Sequence, residues 1–211
     1  MDKTVDVLIE FLKENPKIFV SRKKVNRPDP KTRSGQLKIR ERITASLERT
    51  IEPTVPTTIP DPLVSLILND FYAVDKEKLE VVALEHQYSM AAEDAIGDFL
   101  EEYINSIAKN YGWHICAGEI VKATDFIKKE TNCWRLFQIK NRSNSENSSS
   151  KAIRKKVKDD TGLEITPWFR TFSRTGKTNW ESFPDDRLKK ILNEEDFQMY
   201  VKNCLSKPKL N

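Results

Sequence analysis

One long apolar stripe at helical spacing, followed at once by three short β-rich runs, limits this chain more than any other feature. Between about Ser89 and Lys109, Ile96, Phe99, Leu100, Tyr103, Ile104 and Ile107 recur at the i, i+3, i+4, i+7 positions of one helix face. Tyr111-Gly112 ends that helix. Trp113–Cys116, Ile120–Ile127 and Trp134–Lys140 then read as strands from their β-branched and aromatic content, and Gly118 between the first two predicts an antiparallel meander. Upstream, Thr4 to Phe19 and Gln36 to Thr50 have helical patterning, and a short helix is expected in PLVSLILNDFY from Asp61. The prolines of EPTVPTTIPDP exclude regular structure there, because each removes a donor and fixes φ. Downstream, a short basic helix is expected from Ser148 to Val157, capped by a serine, then a strand over Pro167–Ser173. A turn at RTGKTN leads to helices near Asp185–Leu192 and Glu194–Cys204. Helices, then strands, then helices predict an α/β (α+β) domain with one mixed sheet flanked by helices.

A chain of 211 residues fits one domain with a modest extension. Residues 1–80 are expected to form a helical, basic N-terminal extension of the same domain, and residues 81–211 its core. No run of about 18 apolar residues exists, so a membrane span is not expected. The N-terminus lacks the apolar core and cleavage site of a signal peptide. Three scattered cysteines and only two histidines, His86 and His114, offer no zinc-type cluster, and a reducing cytoplasm is the expected compartment. The net charge of +4 hides strong segregation. Residues 21–58 hold ten Arg/Lys against four acids, and residues 135–158 hold eight against one. Residues 59–110 reverse this, with eleven acids against three lysines. Basic blocks of this kind suit a polyanion, because neutralising phosphates releases condensed counterions; they equally suit a solvated face.

Two elements carry candidate chemistry. On the long helix, projection at 100° per residue places Asp94, Asp98, Glu101 and Glu102 opposite the apolar stripe, whereas Glu93 falls roughly 50° from its centre. An acid facing a core needs a partner, a raised pKa or a metal, and the alternatives for Glu93 are a stripe boundary or a buried ion pair. On the strands, Asp125 lies within VKATDFI, where apolar neighbours give a solvated carboxylate little reason to stand. Fifteen residues on, WRLFQIKN ends an apolar strand with Lys140. A hairpin would bring the two to one end of the sheet, in the pattern D…(D/E)-x-K with Gln138 where an acid is usual. The chemistry is intelligible: a carboxylate and a backbone carbonyl, here that of Ile139, suit Mg²⁺, which lowers the pKa of a bound water. The lysine orients that water and offsets developing charge. An amide at 138 costs the site one negative charge, which Glu93 would restore. By itself the triplet is common, and Lys140 reads as readily as an edge-strand lysine with its head in solvent.

The longer context adds weight. HQYSMAAEDAIGDFLEEYI, YGWHICAGEIVKATDFI, WRLFQIKNRSNSENSSSKAIR and WFRTFSRTGKTNWESF together resemble the SinI-type restriction endonucleases of the PD-(D/E)xK nuclease superfamily. The resemblance spans roughly Glu85 to Phe183, and the FQIKNRSNSENSSS block is its most specific part. It implies a restriction-endonuclease-like fold and a Mg²⁺-dependent Type II restriction endonuclease hydrolysing double-stranded DNA at a short palindrome, of the GG(A/T)CC type associated with the family. Asp125 and Lys140 fill the matching catalytic positions and Gln138 the variant one. Glu93 as helix acid, catalytic and metal-binding, comes from its projected face alone; Glu85 competes if the helix begins earlier. The resemblance also implies a bacterial cytoplasmic protein with a cognate DNA methyltransferase as genetic partner.

Base reading is expected from the loop after the catalytic strand, where Asn141, Arg142, Asn144, Glu146 and Asn147 offer the donor and acceptor types that discriminate bases; a flexible Ser/Asn linker is the alternative. Lys151 and Arg154, with the neighbouring lysines, suit phosphate anchoring. Arg170, Arg174 and Lys177 around Gly176 form a second candidate reader. The basic stretch Arg22–Lys38 is a candidate arm along the DNA backbone. A palindrome is matched most simply by a two-fold homodimer. Two competing functions remain at this level: a structure-specific repair or junction nuclease of the same superfamily, and a non-catalytic DNA-binding module, which Gln138 keeps open.

Overall fold

The computed structural model describes residues 3–20, 28–57, 59, 61–145 and 148–206. Its class is α/β, with a four-stranded mixed sheet and six α-helices among those residues. Two compact units divide the chain. One comprises residues 1–49 and 100–211, the other residues 50–99.

The first unit is built around the sheet, in the order β1 (His114–Ile115), β2 (Phe126–Lys129), β3 (Trp134–Arg142), β4 (Ile165–Thr171). β1 with β2 and β2 with β3 are antiparallel, as the patterning predicts, while β3 and β4 are parallel. A parallel pair needs a crossover, and α5 (Ser148–Thr161) supplies it between the two strands. β4 lies at the edge, where Pro167 is tolerated although it has no N–H to donate. β2 begins six residues later than the sequence pattern suggests. Glu119 and Ala123 hold φ of 50° and 52°, and left-handed residues cannot continue a strand. Val121 instead makes an isolated antiparallel bridge to Phe19, and Asp125 immediately precedes β2.

One face of the sheet carries Ile127, Leu136 and Ile165 in a cluster with Val157 of α5, Leu8, Phe11 and Leu12 of α1 (Thr4–Glu14) and Ile39 and Ile43 of α2 (Arg33–Leu47). Thr32 caps α2, its hydroxyl accepting the Gly35 N–H at 3.1 Å. The other face is aromatic. Phe137 stacks on Phe126 and meets Trp113 and Phe183 edge-on, and Trp168 and Trp180 carry the cluster to Phe197 of α6 (Glu194–Leu205). With both faces covered, Leu136 through Ile139 are all buried, the continuous run expected of a central strand. The helix expected over Asp185–Leu192 is only a 3-10 turn at Leu188–Lys190.

The second unit holds α3 (Pro62–Asp70) and the first part of α4 (Leu79–Ala108), a helix that starts ten residues before its expected onset because Leu79 to Tyr88 contains no breaker. Asp61 caps α3 by accepting the Leu63 N–H at 2.9 Å. No residue of α3 is buried. Among the described residues no helix is long and apolar enough to cross a membrane, and all three cysteines are free.

Candidate active site

Asp125 is held by the edge of β3. Its Oδ2 accepts the N–H of Ile139 at 2.6 Å, beyond the point where β2 begins and can pair with β3. Its own N–H donates to the Phe137 carbonyl, and its carbonyl accepts from Cys116 at 2.7 Å. Within a strand the N–H and C=O of one residue point to the same side. The Ile139 carbonyl therefore faces the Asp125 side, past the start of β2. Burial pushes the Asp125 carboxyl up to about 6, against the lowering pull of the Ile139 N–H and the Lys140 ammonium. So the carboxylate and the lysine are within electrostatic reach of one another, as a hairpin between their segments allows.

Gln138 and Lys140, two apart on β3, share a face of the sheet. Gln138 is buried and its Oε1 accepts from Arg154 Nη1 of α5 at 2.9 Å. The amide oxygen that would stand in for the usual acid is thus already engaged.

The helix acid is where the structure changes the picture most. Glu93 is exposed on the 50–99 unit. Projection of the large apolar residues from 96 to 107 carries its face backward incorrectly, because the buried line there runs Ala91, Ala95, Phe99, and Glu93 lies about 160° from it. Glu85 is exposed as well. Toward the C-terminus the buried line passes through Leu100, Ile104 and Ala108, and Glu101, within about 20° of Ala108, is half-buried at its border. Burial raises the Cys116 thiol well above its ordinary value, and the charges of Asp125 and Glu101 raise it further, so Glu101 is the acid of α4 whose charge acts on the same residue as that of Asp125. The signal available in the sequence was the buried alanine at 108, which a stripe weighted to large side chains passes over.

The residues expected to read DNA separate into two groups. Arg170 is internal: it pairs with Glu194, donates to Asn141 Oδ1 at 3.0 Å and lies over the Phe197 ring. Asn141, half-buried, is held by that arginine and by Thr171, whose hydroxyl donates to its carbonyl. Both are occupied with shaping the segment after β3. Arg142, Asn144, Lys151, Arg174 and Lys177 are exposed. Lys155, Lys156 and Lys158 pair with Asp159, Asp160 and Glu164, so the basic face of α5 is partly self-neutralised. Arg174 and Lys177 flank a hairpin-like turn closed by the Thr171–Thr178 bridge, in which Gly176 takes φ of 68°. Glu146, Asn147 and residues 21–27 of the basic arm lie outside the described residues.

Among the described residues no group of three or more His, Cys, Asp or Glu side chains is gathered to hold a metal. The Asp125 carboxylate and the neighbouring Ile139 carbonyl are hard oxygens of the kind that suit Mg²⁺, an ion that keeps several waters and needs only one or two carboxylates from the protein.

Asp125 just before β2 and the Gln138-Ile139-Lys140 run of the neighbouring β3 thus lie side by side in a mixed sheet. The model of the SinI restriction endonuclease family matches residues 1–207, which extends the likeness through the N-terminal 80 residues. Over 158 residues the chain is 48% identical to the Type II restriction enzyme Eco47I of Escherichia coli, covering 74% of this chain and 66% of that protein. Over 160 residues it is 48% identical to the Type II restriction enzyme SinI of Salmonella infantis, covering 75% of this chain and 67% of that one. The chain belongs to the SinI restriction endonuclease family and spans about two thirds of the length of these relatives.

Proposed function

We propose that this chain is a Mg²⁺-dependent Type II restriction endonuclease that hydrolyses double-stranded DNA at a short palindrome of GG(A/T)CC type. Family membership supports the activity, and the observation that carries the site is the Asp125 carboxylate on the Ile139 N–H beside Lys140. In this reading Asp125 and the Ile139 carbonyl hold the metal. Glu101, and not the exposed Glu93, supplies the second negative charge. Bound Mg²⁺ would stabilise charge on the phosphate and acidify a water. Lys140 orients the attacking water and offsets the charge that develops on the phosphate. Arg142, Asn144, Arg174 and Lys177 are the exposed candidates for base and phosphate contacts, with Lys151 on the phosphate backbone. A two-fold homodimer would set two such sites on opposite strands, and the exposed apolar residues of α3, Leu63, Leu66 and Ile67, supply surface for a second copy. A cognate methyltransferase would protect the host's own sites.

The test is plasmid digestion by the wild type, Asp125→Ala and Lys140→Ala. Both variants are expected to lose cleavage by at least about a thousandfold, the scale of a lost charge-stabilising group, while keeping duplex binding in a mobility-shift assay. Near-wild-type cutting by either one would mean that the site lies elsewhere.

A further inference from the structure

The Arg154–Gln138 contact decides which end of the amide faces a substrate. A guanidinium has five N–H donors and no acceptor, so the atom of Gln138 beside Arg154 Nη1 must be its oxygen. With Oε1 turned to α5, the group left over is the NH₂. Among the described residues that Nε2 makes no hydrogen bond, and no enclosed polar side-chain atom lacks a partner, so Nε2 is open at the surface of an otherwise buried residue. It sits two residues before Lys140 on the same face of β3, and one before the Ile139 N–H that Asp125 accepts. A donor that completes its bonds only when an anion arrives is what a phosphate oxygen requires.

We propose that Gln138 acts through its NH₂ as a hydrogen-bond donor to a phosphate oxygen of the bound DNA, and that Arg154 is the positioning residue that fixes the amide in that orientation. The inference rests on the nuclease reading above. It opposes the usual expectation for this position, in which the side chain gives an oxygen to the metal. An acid at 138 would pair with Arg154 and turn its remaining oxygen toward the phosphate, adding repulsion where the amide gives attraction.

The measurement is binding of the full-length chain to an oligonucleotide duplex carrying the site cut by the wild type, followed by fluorescence anisotropy in EDTA, together with a Mg²⁺ titration of single-turnover cleavage. The variants are Gln138→Glu, Gln138→Met, Arg154→Met and the Gln138→Met/Arg154→Met pair, each checked for a native melting transition. Gln138→Met should weaken metal-free binding about tenfold or more, and Gln138→Glu further, as for loss of a hydrogen bond to a charged group. The pair should be no weaker than Arg154→Met alone, because the amide is useful only while it is held. Gln138→Glu that binds normally in EDTA and reaches half-maximal rate at lower Mg²⁺ than the wild type would overturn the proposal and make position 138 a metal ligand. Fully additive losses would remove Arg154 from the positioning role. Wild type that neither binds nor cuts duplex DNA would overturn the nuclease reading itself, a different outcome from either of these.

Discussion

At the scale of single residues, the site is organised by one costly group. Asp125 keeps a carboxylate in a position where burial raises it to about 6, well above the 3.9 or so of an unperturbed aspartate. A folded-state value raised above the unfolded one adds stability that is complete below about pH 4 and is lost as pH rises through about 6. The metal-free protein should therefore be less stable at pH 8 than at pH 5.5 on this account. Asp125→Asn should flatten that difference and raise the melting temperature at pH 8, since its amide oxygen still accepts the Ile139 N–H without the buried charge. Scanning calorimetry of both proteins in EDTA checks this. An unchanged or lower melting temperature for the variant would show that Asp125 carries no strain. Because metal and proton compete for one carboxylate, the acid limb of the cleavage profile should lie near pH 6 at low Mg²⁺ and move down as Mg²⁺ rises. Asp125 and Lys140 stood out as candidates only through the longer sequence blocks around them, since the D…Q-x-K spacing alone fits an edge-strand lysine equally well. Glu101 did not stand out. Its placement depends on which residues of α4 are buried near Ala108, and that is settled by packing of the neighbouring elements, which helical projection does not contain.

At the scale of elements, β3 is the frame, and its far end is set by a polar anchor. Trp113 Nε1 donates to Asp185 Oδ2 at 2.9 Å, while Asp185 Oδ1 accepts the N–H groups of Arg187 at 3.0 Å and Leu188 at 3.2 Å. Burial pushes the Asp185 carboxyl up, but these donors and Lys128 carry it below the ordinary range. Trp113 in turn meets Phe137, the residue before Gln138. Asp185→Ala leaves three N–H donors without their acceptor, and a loss of about 2–4 kcal/mol is expected, read as a lower urea midpoint at unchanged m. Cleavage per folded molecule should persist, because Asp185 touches none of the site residues. The sequence pattern found every strand but placed the start of one too early and left the direction of another unstated. A run of apolar residues from 120 to 127 looks like one strand until left-handed Glu119 and Ala123 divide it. Nothing in β4 itself announces that it runs parallel to β3. That follows only from α5 being long enough to return the chain.

At the scale of the whole molecule, charge and symmetry link the site to its substrate. The basic block at 135–158 includes β3 and α5, whereas the acids gather at 59–110, a region that also exposes Leu63, Leu66, Ile67 and Phe71. An acidic surface is poorly suited to DNA and leaves its apolar side chains for protein. If two copies meet there, Leu66→Asp/Ile67→Asp should halve the mass seen by light scattering while the far-ultraviolet spectrum stays native. A mass unchanged from a dimeric wild type would move the dimer surface elsewhere. Whether the Asp125–Lys140 site cuts duplex DNA at one short palindrome is decided by digesting a plasmid with the wild-type chain and Mg²⁺ and sequencing the ends. Every end should map to one short palindrome, cut at the same position on both strands, with none produced by Asp125→Ala. Ends scattered without a common sequence, or the same ends from the Asp125→Ala chain, would contradict this assignment.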